Sequence, residues 1–203
     1  TVVCSAQLPV GTGDEIIKII TNINNKFHGG YVYTPENLRL GNALSCFLNP
    51  GRVVIGTDNK FALKKIKTVF GKIQCSVIEM DIRSAELTKH SLNSFLATSI
   101  SFINEISLIS SVVGADINLV IKALKTDPRI GPNAFLSAGL GFAGGTLGRD
   151  LKVLKNIAKK NNIPLRLVNS VISINNNRLK DIVITPLKNI FKNFNNIKIG
   201  IFG

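Results

Sequence analysis

Residues 137–150 form a glycine-rich stretch that could hold a ligand directly against the backbone. Its letters are Ser-Ala-Gly-Leu-Gly-Phe-Ala-Gly-Gly-Thr-Leu-Gly-Arg-Asp, and glycine has no side chain to keep a ligand away. The stretch runs into 150–155, where the apolar spacing predicts a helix. Because N–H groups at a helix start attract negative charge, this junction could stabilise a phosphate or a developing oxyanion. A glycine-rich loop can also be only a tight turn.

Lys89 and Asn93 are the second candidate pair, since residues four apart share one face of a helix. Leu92, Phe95 and Leu96 flank them, so we expect part of this face to be buried. A buried lysine is unfavourable unless it has a partner or a chemical task. The alternative is a lysine that extends to solvent beside a hydrated amide.

Three further charged side chains have both a chemical and a structural interpretation. Glu36 follows Pro35 at a predicted helix start, where the helix dipole favours a carboxylate. Arg129 could clamp a phosphate or sugar oxygen, or could be a surface arginine in a turn rich in proline and glycine. Asp150 could orient a reactive group, or could only stabilise the first turn of its helix.

These residues fall in segments that resemble the UDP-sugar dehydrogenases, the UDP-glucose/GDP-mannose dehydrogenase family. The resemblance covers nearly the whole chain, and the similar segments occur in the same order as in the family. It is weaker at 1–12 and at 197–203. The five segments with the clearest resemblance are 34–44, 50–56, 84–105, 127–131 and 137–150.

The resemblance implies an NAD-dependent oxidation of a sugar CH–OH group and gives roles to individual residues. Lys89 would stabilise oxyanion character, and Asn93 would hold a sugar hydroxyl or a water molecule. Glu36 would assist the proton relay, and Asp150 would bind the lysine or orient water. The implied substrate-binding residues are Asn37, Leu38, Leu40, Arg129, Phe135, Gly139, Gly141 and Phe142, and the implied cofactor-binding residues are Ser5, Gly145 and Arg149. Arg129 would reach the substrate site of a neighbouring subunit, so we expect a homodimer formed through the central helices.

Thr146 stands where the family has its cysteine nucleophile. A thiol at a helix start ionises readily, whereas a threonine hydroxyl with no adjacent base does not. Threonine is a good N-cap residue, which gives Thr146 a structural explanation. Ala6 replaces a family threonine near the catalytic water, and Leu40 replaces a family glutamate.

We therefore expect the oxidation of a UDP-linked hexose, for polysaccharide synthesis, to stop after one two-electron step. One alternative is a catalytically degenerate relative that only binds sugar nucleotides or dimerises. Another is a complete oxidation in which Cys46 or Cys4 takes the place of the missing cysteine.

Composition favours a cytoplasmic globular protein. The net charge is +13, but the lysines are scattered and seldom alternate with aromatic residues, so we expect no nucleic-acid partner. No histidine or cysteine cluster has the spacing of metal ligands, and the three cysteines are interpreted as buried thiols. Ser94–Val113 is the one apolar stretch of membrane-spanning length. It contains Asn104, Glu105 and several serines, so we predict a half-buried helix and no membrane partner.

The element pattern predicts an α/β Rossmann-like tail, then an all-α central dimerisation domain, then the start of a second α/β domain. The boundaries are 1–82 for the end of the NAD-binding domain, 83–195 for the helical domain and 196–203 for the first strand of a UDP-sugar-binding domain. The glycine turn that binds the dinucleotide in this family does not open the sequence. We therefore expect an internal segment that is inactive alone.

Overall fold

The computed structural model describes residues 1–27, 29–36, 38, 41–71, 73–143, 145–191, 193–195 and 197–202. It divides into two compact units, Thr1–Leu92 and Asn93–Gly203.

The first unit is a four-stranded sheet with helices. The strands lie in sequence order; the first pair and the last pair are parallel, whereas the middle pair is antiparallel. The elements are β1 (Val2–Cys4), α1 (Thr12–Ile23), β2 (Tyr31–Tyr33), α2 (Ala43–Leu48), β3 (Arg52–Gly56), α3 (Lys60–Phe70), β4 (Ser76–Met80) and α4 (Ile82–Val113), of which residues up to Leu92 belong to this unit. The predicted α/β start of the chain is confirmed.

Both faces of the central strands are covered, because successive side chains of a strand point to opposite sides. One cluster contains Tyr31, Tyr33, Val54, Ile82 and Ala85. The other contains Val32, Val53, Ile55, Ala62 and Ile66. Alternate side chains of β2 and β3 therefore enter two separate core layers, one on each face of the sheet.

The helix start predicted at Glu36 is wrong, since α2 begins only at Ala43 and the described residues 36, 38, 41 and 42 are not helical. Gly41 has a φ of +79°, which a right-handed helix does not accommodate. Glu36 consequently lies in the connection after β2 and not at a helix start, so the dipole argument for its carboxylate does not apply.

Parts of the first unit are less buried than their apolar residues suggest. Val2 and Val3 are 37% and 46% exposed, since β1 is at the edge of the described sheet and is covered on one flank only. Ile23 is 82% exposed because α1 ends at this residue. The interpretation of the three cysteines as buried thiols is wrong, since all three are half-buried.

Tyr31 gives a pH-dependent stability prediction. Its phenol is buried beside Cys4 and makes no hydrogen bond of ordinary geometry within the described residues. Burial, reinforced by Cys4, raises the pKa of Tyr31 above its ordinary value near 10. Above pH 10 the unfolded chain loses a proton that the folded chain retains, so stability falls as pH rises.

We expect the wild type to lose about 1.4 kcal/mol more unfolding free energy per pH unit above pH 10 than Tyr31→Phe does. At neutral pH the variant should be at least as stable, because no hydrogen bond is removed. Urea unfolding of both proteins from neutral to alkaline pH measures this. Parallel pH profiles would contradict it.

The second unit is helical, as predicted. It contains the rest of α4, α5 (Ile117–Thr126), α6 (Leu147–Lys160), α7 (Arg166–Leu179), a π-helical turn (Lys180–Ile184) and α8 (Thr185–Ile190). Its core cluster is Ala97, Leu151, Val168 and Val171. Residues 197–202, predicted to begin a strand, have no strand in the structure.

The irregularity before α8 has an identifiable cause in Pro186, the second residue of α8. Proline lacks a backbone N–H and its ring crowds the preceding turn. The chain widens there, and the Thr185 N–H donates to Lys180 O, five residues earlier. A π-helical turn thus accommodates the proline within a stretch that stays helical.

Helix α4 is long and apolar enough to cross a membrane by length and composition, with a mean hydropathy of 1.5 in its most apolar window. The core helix of a globular domain has the same properties. Ser101, Asn104 and Ser110 of α4 are buried in the second unit. The helix therefore carries polar side chains that are packed inside the protein.

Candidate active site

In the first unit, Lys89 is a buried lysine whose ammonium group is directed at the backbone. Its side chain is 8% exposed, and Nζ donates a hydrogen bond to the carbonyl oxygen of Glu36. The carboxylate of Glu36 accepts from the Leu38 N–H at 2.6 Å. The predicted burial of Lys89 is confirmed, and the alternative of a lysine that extends to solvent is wrong. The charge of Lys89 is held beside the segment that carries Glu36.

The turn after β1 is held by two residues of α4 that the sequence analysis missed. The carboxylate of Glu86 accepts from the N–H groups of Gly11 and Gly13 at 2.6 and 2.8 Å. His90 Nε2 lies 2.7 Å from Leu8 O, so this nitrogen carries the proton. Buried glutamate and histidine on either side of Lys89 were the available signal. They join the connection after β1 to the helix that presents Lys89.

In the second unit, Asn93 and Asp150 form a buried polar pair. Asn93 is 6% exposed and Asp150 is fully buried, and the amide Nδ2 of Asn93 donates to Asp150 Oδ2. Asp150 lies in the first turn of α6, as predicted, where the helix dipole favours its charge. A carboxylate removed from water and bonded to an amide has a fixed orientation, which suits a group that must orient water or substrate.

The described residues of the glycine-rich stretch before α6 form neither helix nor strand. Helix α6 begins at Leu147 and includes the predicted helical stretch 150–155. Thr146 is exposed at the N-cap position, but its side chain makes no capping hydrogen bond. The capping explanation is wrong because its φ and ψ of −85° and −68° are helical, whereas a capping side chain needs an extended backbone.

The other implied substrate-binding residues are exposed, half-buried or outside the described residues. Leu38, Arg129, Phe135 and Gly139 are exposed, and Gly141 and Phe142 are half-buried. Asn37 and Leu40 lie outside the described residues. Arg129 pairs with Asp127, with Nη2 and Oδ2 2.7 Å apart. Its guanidinium lowers the pKa of Asp127 from the ordinary range.

The residues present fit one edge of a dinucleotide site. Ligands of α/β sheets bind beyond the carboxyl ends of parallel strands, and β1 and β2 are parallel with Ser5 exposed just after β1. Gly11 has open space where a Cβ would lie. Ser5 would hold NAD at this edge. Gly145 and Arg149 of the second unit are also exposed.

Three residues of the second unit that contact the glycine-rich stretch were not predicted. They are Asn104, Asn175 and Arg178, and each hydrogen-bonds to its backbone. The only signal in the sequence was the polar run 175–178 inside a helical stretch. Nothing in that run indicates which loop it contacts, because the partners are more than thirty residues away.

The chain thus has an α/β unit with a buried lysine after the sheet, followed by helices with a buried asparagine–aspartate pair. Residues 1–74 match the model of the UDP-glucose/GDP-mannose dehydrogenase family, NAD binding domain, and residues 83–177 match that of its central domain. The chain belongs to the UDP-glucose/GDP-mannose dehydrogenase family.

Named relatives and solved structures agree with this family. UDP-glucose 6-dehydrogenase YwqF of Bacillus subtilis (strain 168) is 40% identical over 178 residues, which are 87% of this chain and 40% of the relative. A UDP-glucose 6-dehydrogenase of Rhizobium meliloti (strain 1021) is 37% identical over 87% of this chain and 41% of its own length. The structure of a UDP-glucose dehydrogenase from Pyrobaculum islandicum superposes with a TM-score of 0.86 at 28% identity, over 93% of this chain and 43% of that one. The chain spans about two fifths of the length of these relatives.

Proposed function

We propose that the protein oxidises a CH–OH carbon of a nucleotide-linked hexose, with a UDP-sugar as substrate. The observation that carries the proposal is the burial of Lys89, Asn93 and Asp150, three polar residues at positions where the family has its reactive groups. Two of the relatives described above are named for the same reaction class. NAD would accept the hydride that leaves the sugar carbon.

Each residue has a task that its surroundings support. The ammonium of Lys89 stabilises negative charge that develops on the sugar oxygen as its proton leaves. Glu36, whose carboxylate lies in an exposed connection, accepts or relays that proton. Asn93 binds a sugar hydroxyl or a water molecule, and Asp150 fixes the orientation of its amide.

Thr146 limits the reaction to one two-electron step in this proposal. A second oxidation needs a nucleophile that captures the carbonyl product. Thr146 is exposed at the start of α6, but a hydroxyl there remains protonated at neutral pH, and no general base is bonded to it among the described residues. The product is then a carbonyl compound and not a uronic acid.

The proposal is tested with the full-length protein, NAD, and either UDP-glucose or GDP-mannose. We expect absorbance from NADH with a UDP-sugar and a carbonyl product that an aldehyde reagent traps. If a folded protein that still binds UDP-glucose forms no NADH with any of these nucleotide sugars, the proposed dehydrogenase activity is refuted. That result would support the second candidate, a degenerate sugar-nucleotide-binding protein, which the exposed threonine favours.

The homodimer is part of the same proposal. Phe95, Phe102 and Ile109 of α4 are exposed and seven residues apart, so they lie along one side of the helix. Val112 and Val113 extend the exposed apolar surface. A second copy of the chain would cover it, and Phe102→Asp should shift the sedimentation of the full-length protein from dimer to monomer. A wild type that sediments as a monomer would contradict this.

The remaining assignments are proposals of the same kind. We assign 1–82 to the NAD-binding domain, 83–195 to a dimerising helical domain and 196–203 to the start of a UDP-sugar-binding domain. A cytoplasmic location without nucleic-acid or membrane partners fits a biosynthetic dehydrogenase that uses soluble NAD and a sugar nucleotide.

A further inference from the structure

We infer that Arg178, together with Asn104 and Asn175, is a positioning residue that holds the glycine-rich loop 139–142 in its working conformation. The inference rests on the proposed function, because the loop leads to Thr146 and to the helix that carries Asp150. All the contacts lie within the second unit.

The first anchor is Gly139, which is bound through both of its backbone polar groups. Its N–H donates to Asn104 Oδ1 at 2.9 Å, and its carbonyl oxygen accepts from Arg178 Nε at 2.8 Å. One side chain comes from α4 and the other from α7. The two peptide groups that flank Gly139 are therefore each bonded to a helix, and neither can rotate without breaking its bond.

Arg178 joins these helices as well as the loop. Its Nη1 donates to Asn104 O and its Nη2 to Ser107 Oγ, both at 2.9 Å. The side chain is 5% exposed, and burial lowers the pKa of Arg178, which Asp181 partly offsets. Three nitrogens of one planar group thus bind three acceptors at fixed angles, which a lysine does not reproduce.

The second anchor is Phe142. The side-chain amide of Asn175 binds both the N–H and the carbonyl oxygen of Phe142, as a neighbouring β-strand would. The Phe142 N–H donates to Asn175 Oδ1 at 2.8 Å, and Asn175 Nδ2 donates to Phe142 O at 2.9 Å. Gly141 lies beside this contact with a φ of +96°, and a Cβ there would be 2.5 Å from Asn175 Oδ1. Close approach of the amide thus requires glycine at 141.

Thr146 follows Phe142 by four positions in the sequence, so the two anchors set the path of the chain into α6. Reaction rates depend steeply on position, and a shift of about 1 Å can reduce turnover about 100-fold. Arg178 touches neither substrate nor cofactor in this account. Its effect on catalysis is transmitted through the backbone of the loop.

The test compares Arg178→Ala with Arg166→Ala in the full-length protein. Arg166 is on the same helix but exposed, so it controls for loss of one positive charge. We expect kcat to fall about 10- to 100-fold in Arg178→Ala only. Amide hydrogen exchange should accelerate at Gly139 and Phe142.

Chemical rescue separates positioning from general loss of structure. Arg178 borders a cavity of about 200 Å³ that Asn177 and Asp181 also line, and the alanine variant enlarges it. Millimolar guanidinium chloride should restore part of the kcat of Arg178→Ala, whereas sodium chloride at the same concentration should not. Equal effects of the two salts, or unchanged kcat and exchange in Arg178→Ala, would overturn the inference.

A second variant keeps the test decisive if Arg178→Ala fails to fold. Asn175→Ala removes both bonds to Phe142, and Asn176→Ala is its control because Asn176 is exposed. Faster amide hydrogen exchange at Phe142 in Asn175→Ala but not in Asn176→Ala supports the inference. Equal exchange rates in the two variants would overturn it. If the wild type has no turnover, the proposed function fails, while the exchange of Gly139 and Phe142 still decides whether these residues hold the loop.

Discussion

Thr146→Cys is expected to raise the yield from one NADH to two per UDP-glucose consumed and to change the product from a carbonyl compound to a uronic acid. The start of α6 supplies the environment that a reactive thiol needs, because backbone N–H groups and the helix dipole lower a thiol pKa there. Position 146 is exposed, so the new thiol is accessible.

The second oxidation, from the carbonyl compound to the acid, needs only NAD and water as further reactants. The thiolate adds to the carbonyl carbon, and the oxygen takes up a proton. Loss of a second hydride to NAD and of the hydroxyl proton to solvent leaves a thioester, and water then cleaves the carbon–sulfur bond to release the acid and the thiol. Enzyme and sugar nucleotide are mixed with excess NAD, and NADH is compared with sugar consumed.

Thr146→Ser is the control for this change, since it keeps a hydroxyl at the helix start. We expect this variant to remain at one NADH per sugar. A cysteine variant that also remains at one NADH, although its thiol reacts with a thiol reagent, would contradict the claim that residue 146 limits the oxidation.

Lys89→Met is expected to reduce kcat about 100- to 1000-fold, equivalent to about 2.7–4 kcal/mol of lost transition-state stabilisation. Methionine keeps most of the side-chain volume but removes the charge, so the sugar oxyanion loses its stabilising partner. The affinity for UDP-glucose should change little, because the alcohol of the bound substrate is neutral. Steady-state rates and calorimetric binding separate these two effects.

The matched control is Lys64→Met, which removes an exposed lysine from α3 of the same unit. Its kcat should equal that of the wild type. Thermal unfolding shows whether Lys89→Met remains folded. A folded Lys89→Met protein with wild-type kcat would exclude Lys89 from the chemistry.

The sequence was sufficient for the elements with strong periodic patterns. The alternation of strands and helices predicted the α/β start, and the long apolar periodicity predicted α4 and the partial burial of the face that carries Lys89 and Asn93. These predictions succeeded because each depends on residues close together in the chain. Side chains four apart on a helix share a face whatever the rest of the protein does.

The failures have local and long-range causes. The helix start predicted at Glu36 depended on Pro35 before it and missed the positive φ of Gly41. Thr146 has the residue type of an N-cap but not the backbone angles. The residue type alone does not determine the backbone angles of Gly41 or Thr146, since these angles also depend on contacts with the rest of the folded chain.

The contacts made by Arg178 illustrate the long-range limit. Its partners Asn104 and Gly139 are 74 and 39 residues away in sequence. A polar residue inside a helix can be exposed, can cap a neighbouring helix or can bind a loop, and the sequence pattern is the same in all three cases. Only the packed arrangement of α4 and α7 shows that it binds the loop.

The most direct test of the central claim is the ratio of NADH formed to sugar consumed by the unmodified full-length protein, with the product identified by mass spectrometry. We expect one NADH per UDP-sugar and a carbonyl product two mass units lighter than the substrate. Two NADH per sugar together with a uronic acid would show that a complete oxidation proceeds with threonine at position 146, and would refute the proposed single oxidation.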